Sequence, residues 1–157
     1  MGTGADLYRR SLYTYWKRTL APPAMAILDT ADREWCSVRP KQTNTPLQAL
    51  ALLNERAFVE AAVALGRHLH HLNTTQPQRI AHGFRLVTGR SPTSAEQAML
   101  EQALDRYHES FRQNPKDARV LLKAHIGSPS ERESIREAAL VALANVLLNL
   151  DETTTRE

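Results

Sequence analysis

The chain of 157 residues has a single cysteine, Cys36, which excludes an internal disulfide and any CxxC or CxxCH motif. Aromatic residues are scarce at 6%, and six glycines and eight prolines exclude collagen-like or low-complexity character. No apolar run approaches the roughly 18–20 residues needed to cross a bilayer. The opening Met1-Gly2-Thr3-Gly4-Ala5-Asp6 lacks the apolar core of a signal peptide. Neither GxxxxGK[ST] nor GxGxxG occurs, so Gly83 and Gly89 form no phosphate loop. Strand-like alternation and fixed-period repeats are also missing. What remains is 42% hydrophobic and 24% charged, the balance of a globular chain long enough to bury a real core.

The net charge of +3 is unevenly placed. Residues 1–45 carry seven cations against four carboxylates, and the remainder balances at thirteen of each. In the basic third, Arg9, Arg10, Lys17 and Arg18 interleave with Tyr8, Tyr13, Tyr15 and Trp16. Cations with aromatic platforms can bind single-stranded nucleic acid through phosphate pairing and stacking. An excess of three charges is small for that task and weighs against nucleic acid as the main partner.

Periodicity predicts an all-α chain of about six helices. The first is expected over 6–19, ending at Ala21-Pro22-Pro23. Residues 29–45 show no period and read as an irregular, ordered connector. Thr45-Pro46-Leu47-Gln48 then carries a cap hydroxyl, a first-position proline and a third-position glutamine, a capping box that opens a helix. From there Leu47, Leu50, Asn54, Phe58, Ala61, Leu65, Leu69 and Leu72 recur at helical steps, predicting one long central helix over 46–72. Gly66 in that helix is expected to be a weak spot relative to alanine, by about 1 kcal/mol. Further helices are expected from Pro77 to Gly89, after the Thr93/Glu96 capping box to Asn114, over 116–125, and over 131–149 behind a Ser130/Glu133 box. Together they predict one domain.

Residues able to support chemistry are few. Cys36 has Arg33 and Arg39 nearby in sequence but no identifiable histidine partner, so a structural thiol is the plainer reading. His68 and His71 share a helix face, yet His68, His70 and His71 lack the third and fourth ligands of a metal site. Asp29, Asp32 and Glu34 could serve as paired acid and base, although neighbouring arginines favour ion pairs. Asn44, Thr45, Gln48 and Asn54 read as structural polar groups. Asn54 in particular, on an apolar stripe, is expected to draw the connector against the long helix. No catalytic, cofactor-binding or metal residue is assigned.

Several strings are more specific than composition. Tyr8-Arg9-Arg10-Ser11-Leu12-Tyr13-Thr14-Tyr15-Trp16-Lys17-Arg18-Thr19, Asp32-Arg33-Glu34 with Cys36, Thr43-Asn44-Thr45-Pro46-Leu47-Gln48-Ala49-Leu50 with Leu53-Asn54, and the ending Leu147-Leu148-Asn149-Leu150-Asp151-Glu152 occur in order. They resemble the C-terminal domain of unknown function, PSD-type, of planctomycete cytochrome c-domain-containing proteins. Leu140 and Thr153 stand where that family often has aromatic residues, which predicts thinner packing of the last helix.

The resemblance implies a C-terminal fragment of a larger exported protein, at the cell surface or in the periplasm. Any c-type haem would lie upstream, with none in this chain. It implies no established activity. The expected role is a non-catalytic structural or interaction module that packs against the upstream domain or another protein. Tyr8, Arg9, Arg10, Tyr13, Tyr15, Trp16 and Arg39 are the expected interface, because aromatic and arginine side chains dominate binding hot spots. The alternatives are an inter-domain enzyme site, carbohydrate-active or redox-linked, completed by Asp29, Asp32, Glu34 and Cys36, and nucleic-acid binding through the basic aromatic segment.

Overall fold

A computed structural model of the chain describes residues 13, 15, 17, 22–30, 43, 45–123 and 131–154. Every regular element among them is an α-helix: α1 (Pro23–Ile27), α2 (Pro46–Asn54), α3 (Arg56–His71), α4 (Gln76–Thr88), α5 (Ser94–Gln113), α6 (Pro115–Lys123), α7 (Glu131–Leu148) and α8 (Asp151–Thr154). The all-α expectation holds. The chain divides into two compact units, residues 1–57 and 58–157.

In the first unit α1 packs on α2. Proline pre-sets the helical φ at the start of α1, and the Pro22 carbonyl takes the Met25 and Ala26 amides at 3.0 and 3.1 Å. The helix closes through Asp29, whose φ of 54° is left-handed. The Thr30 amide then returns to the Met25 carbonyl at 3.0 Å, a Schellman-type closure in which aspartate fills the place glycine usually takes. The helix expected over 6–19 lies outside the described residues except at Tyr13, Tyr15 and Lys17, which are not α-helical.

The single helix expected over 46–72 is interrupted at Glu55, which is extended at φ −69° and ψ 137°. Glu55 serves both neighbours. Its amide donates to the Ala51 carbonyl at 2.8 Å, closing α2, and its carboxylate accepts the Ala57 amide at 2.8 Å, capping α3. A glutamate in this double role has neither the glycine nor the short polar side chain that marks most boundaries. The interruption resets the helical phase. Leu47, Leu50, Asn54 and Ala61 are exposed, while the buried side of α3 is Glu60, Ala62, Val63, Gly66 and Leu69.

The central helix is α7, which packs against α4, α5, α6 and α8 in the second unit. Residues 138–148 carry no charge, and Ala138 to Val141, Leu143, Ala144 and Leu147 are all buried. A helix apolar around its circumference must be covered around its circumference. One side meets Ile80, Phe84, Leu100 and Leu104; another meets Val63, Ala118 and Leu122. The expected thinning of packing around α7 is not seen at Leu140, which is 2% exposed within the first cluster. Thr153 Oγ1 donates to the Leu147 carbonyl at 3.1 Å, satisfying one of the last acceptors of α7.

Gly66 is more than a weak spot. A Cβ there would come within 2.7 Å of the Val141 backbone, so glycine is what lets α3 cross α7 closely. Beside the crossing, Arg67 Nε faces Glu137 Oε1 at 3.2 Å, an ion pair whose carboxylate is buried. Further along, Gly89 at φ 83° ends α4 as expected, and Thr93 with Glu96 forms the expected box at the start of α5. A looser box has the Thr75 amide reaching Gln78 Oε1 at 3.4 Å. Ser130 and the box expected there lie outside the described residues.

Candidate functional site

The polar residues of the first unit meet at one junction. Thr45 Oγ1 accepts the Gln48 amide at 3.2 Å, and Gln48 Oε1 accepts the Thr45 amide at 2.8 Å, as the capping box requires. The side-chain Nε2 of Gln48 then donates to Asp29 Oδ2 and Thr43 Oγ1, both at 2.9 Å. Asp29 also accepts the Thr43 hydroxyl and, at 3.0 Å, the Thr43 amide. The ends of the connector are therefore tied to α2 through Gln48, the one buried residue of that helix. Asn54 does not perform this role. It is exposed, and its Nδ2 donates to the Leu50 carbonyl one turn back in its own helix at 2.9 Å. Among the described residues Asp29 accepts from the Thr43 amide, the Thr43 hydroxyl and the Gln48 side chain. Asp32, Glu34, Cys36, Tyr8, Arg9, Arg10, Trp16, Arg39 and Asn44 lie outside the described residues.

Elsewhere among the described residues of this unit, large apolar side chains are exposed. Tyr13 and Tyr15 are 62% and 82% exposed, and Leu47, Leu50 and Leu53 are 56%, 57% and 41% exposed. Steps of three residues put these leucines along one side of α2. On α2 the buried residue is the polar Gln48 while three leucines are exposed, the reverse of an ordinary amphipathic arrangement.

The second unit contains a groove of about 430 Å³ walled by Phe84, Met99, Leu100, Ala103, Val146 and Leu150, with Glu96, Asp151 and Glu152 also lining it. Arg90 secures its acidic edge. The guanidinium binds Glu96 through two bonds of 2.9 and 2.6 Å and Glu152 through two of 2.8 Å. Its carbon lies 4.8 Å from the Phe84 ring centroid, within cation–π range. The bonds to Arg90, then those from Thr93, hold the Glu96 carboxyl down at about 2. Arg90 is itself held above its ordinary value by the same carboxylates. Glu96 is thus fixed as a carboxylate, suited to holding structure and unsuited to donating a proton near neutrality.

The sequence assigns no site role to Arg90, Glu152 or Met99, and Met99, expected on the inward stripe of its helix, is 63% exposed. Glu96 is visible only as a capping residue, and nothing local connects Glu152 with Arg90 across 62 positions. The histidines regroup as well. His70 and His71 rings lie edge to face at 5.6 Å, while His68 pairs across to His82 of α4 at 5.8 Å. Among the described residues, no three histidine, cysteine or acidic side chains converge as a metal-binding group. No described helix is long and apolar enough to cross a membrane.

These features define an all-α protein with a self-cored helical unit and a smaller, polar-pinned unit carrying outward apolar side chains. Residues 1–104 match the PSD1 family, a protein of unknown function (DUF1553), and the chain belongs to that family. The match spans all of the first unit and reaches midway through α5. No curated protein and no solved structure matches the chain significantly.

Proposed function

We propose that the chain is a non-catalytic interaction module whose N-terminal unit docks against an apolar protein surface, that of the upstream region of the same protein. The observation that carries this reading is the exposure of Tyr13, Tyr15, Leu47, Leu50 and Leu53 in a unit whose described residues bury only Gln48. Aromatic and aliphatic side chains uncovered in such density mark surfaces completed by association. The planctomycete cytochrome c-associated setting, at the cell surface or in the periplasm, is supported by the resemblance of the Tyr8–Thr19 and Thr43–Leu50 strings to that family. With one cysteine and no CxxCH, this chain supplies no covalent haem attachment, so a c-type haem belongs to the upstream region in this reading.

A titration of the chain with the purified upstream region tests it. Tyr15→Ala and Leu50→Ser should each weaken binding at least tenfold, as should Trp16→Ala or Arg10→Ala in the adjoining basic segment. Unchanged affinity in all four variants, or no binding by the parent chain, contradicts the proposal.

A further inference from the structure

We propose that His68 of α3 and His82 of α4 form a two-imidazole site for a late first-row divalent cation such as Zn²⁺. Their ring centroids are 5.8 Å apart and the rings are tilted by 37°. An imidazole nitrogen sits about 2.0–2.1 Å from bound zinc, which places each ring centroid roughly 3.2 Å from the ion and two tetrahedral ligands about 5 Å apart. The observed separation is within about 1 Å of that distance, so rotating the side chains to turn one nitrogen of each ring inward would let the two share one ion. Sequence spacing alone pairs His68 with His71; the folded chain offers His82 instead.

Three further features favour a cation here. His68 is exposed and His82 half-buried, so an ion can enter. Among the described residues neither ring has a hydrogen-bond or ion-pair partner, leaving their nitrogens available. His68 also lies in the last turn of α3, where the helix presents its negative end. Nearby Arg79 is turned away, its Nη2 donating to the Leu72 carbonyl at 2.9 Å. Imidazole ligands select Zn²⁺, Ni²⁺ and Cu²⁺ over Mg²⁺ or Ca²⁺, which prefer oxygen. With only two protein ligands and no carboxylate behind either ring, the remaining positions belong to water, and the ion is exchangeable.

Thermal unfolding of chelator-treated full chain tests this independently of the docking reading. A bridge between α3 and α4 binds the folded state alone, so saturating Zn²⁺ should raise Tm by roughly 5 °C, whereas Mg²⁺ should not. His68→Gln and His82→Gln should each abolish the rise, and His71→Gln should retain it. Calorimetric titration should show one Zn²⁺ per chain, lost in the same two variants, with circular dichroism confirming that both still fold. No rise in the parent chain, or a rise that survives either substitution, overturns the site.

Discussion

The two units solve the burial problem in opposite ways. Residues 58–157 enclose a leucine-rich core around α7, and every fully buried hydrophobic side chain among the described residues falls between Ala62 and Leu147. Among the described residues of 1–57 the buried position belongs to Gln48, while Tyr13, Tyr15, Leu47, Leu50 and Leu53 remain at the surface. Net hydrogen-bond contributions are about 1 kcal/mol each, whereas a buried leucine contributes roughly 1.5–3 kcal/mol. The larger unit has the means to stand alone. The described part of the smaller one is tied together by polar bonds around Gln48 and exposes Tyr13, Tyr15, Leu47, Leu50 and Leu53, the surface assigned above to docking.

The sharpest way to break this contrast is to remove volume beside α7. Leu143, fully buried between α4 and α5, should cost about 2–5 kcal/mol when replaced by alanine, read as a lower urea midpoint. Gly66→Ala comes next. Its Cβ meets the Val141 backbone, which cannot rotate aside, so a loss of about 1–3 kcal/mol is expected despite alanine's better helix propensity. A stabilised Gly66→Ala chain would show that α3 does not cross α7 as described.

Gln48→Ala probes the other side of the comparison. It removes half the capping box and the bonds to Asp29 and Thr43, at a cost of about 1–2 kcal/mol. The loss should appear as faster amide exchange over 46–54, with urea unfolding of the larger unit unchanged.

The smallest effects concern pH. Glu96 is held at about 2 against an ordinary 4.5, so its native state binds fewer protons than the unfolded chain. Its stabilisation is complete above about pH 4.5 and is lost as pH falls through about 2. Arg90→Ala should raise the pH of acid unfolding, with the two stability curves changing their separation only in that window. His108 lies below its ordinary 6.5 because of burial and then the Arg136 charge, so its contribution is full above 6.5 and declines on acidification below it. His108→Gln should flatten the near-neutral slope.

Much of the helical pattern is legible in the sequence because its punctuation is chemical. Thr45-Pro46-Leu47-Gln48, Thr93 with Glu96, and Gly89 each carry a local hydrogen-bond or dihedral requirement. Glu55 escapes the same reading, since its capping role depends on where its flexible carboxylate turns. That one boundary shifts the phase of α3, and the central position belongs to α7, whose own apolar circumference is covered by its neighbours. Arg90 with Glu152, and His68 with His82, are legible only after tertiary packing brings separate helices together. Gly66 misleads for a related reason: propensity treats it as a defect, whereas the close crossing at Val141 requires it.

Native-state hydrogen exchange measures the division between the units most directly. The slowest amides should lie in α7 between residues 138 and 147, exchanging only with global unfolding, while those of α2 over 46–54 open at a clearly lower free energy. Amides of α2 protected as strongly as those of α7 would contradict the assignment of the folding core to the larger unit.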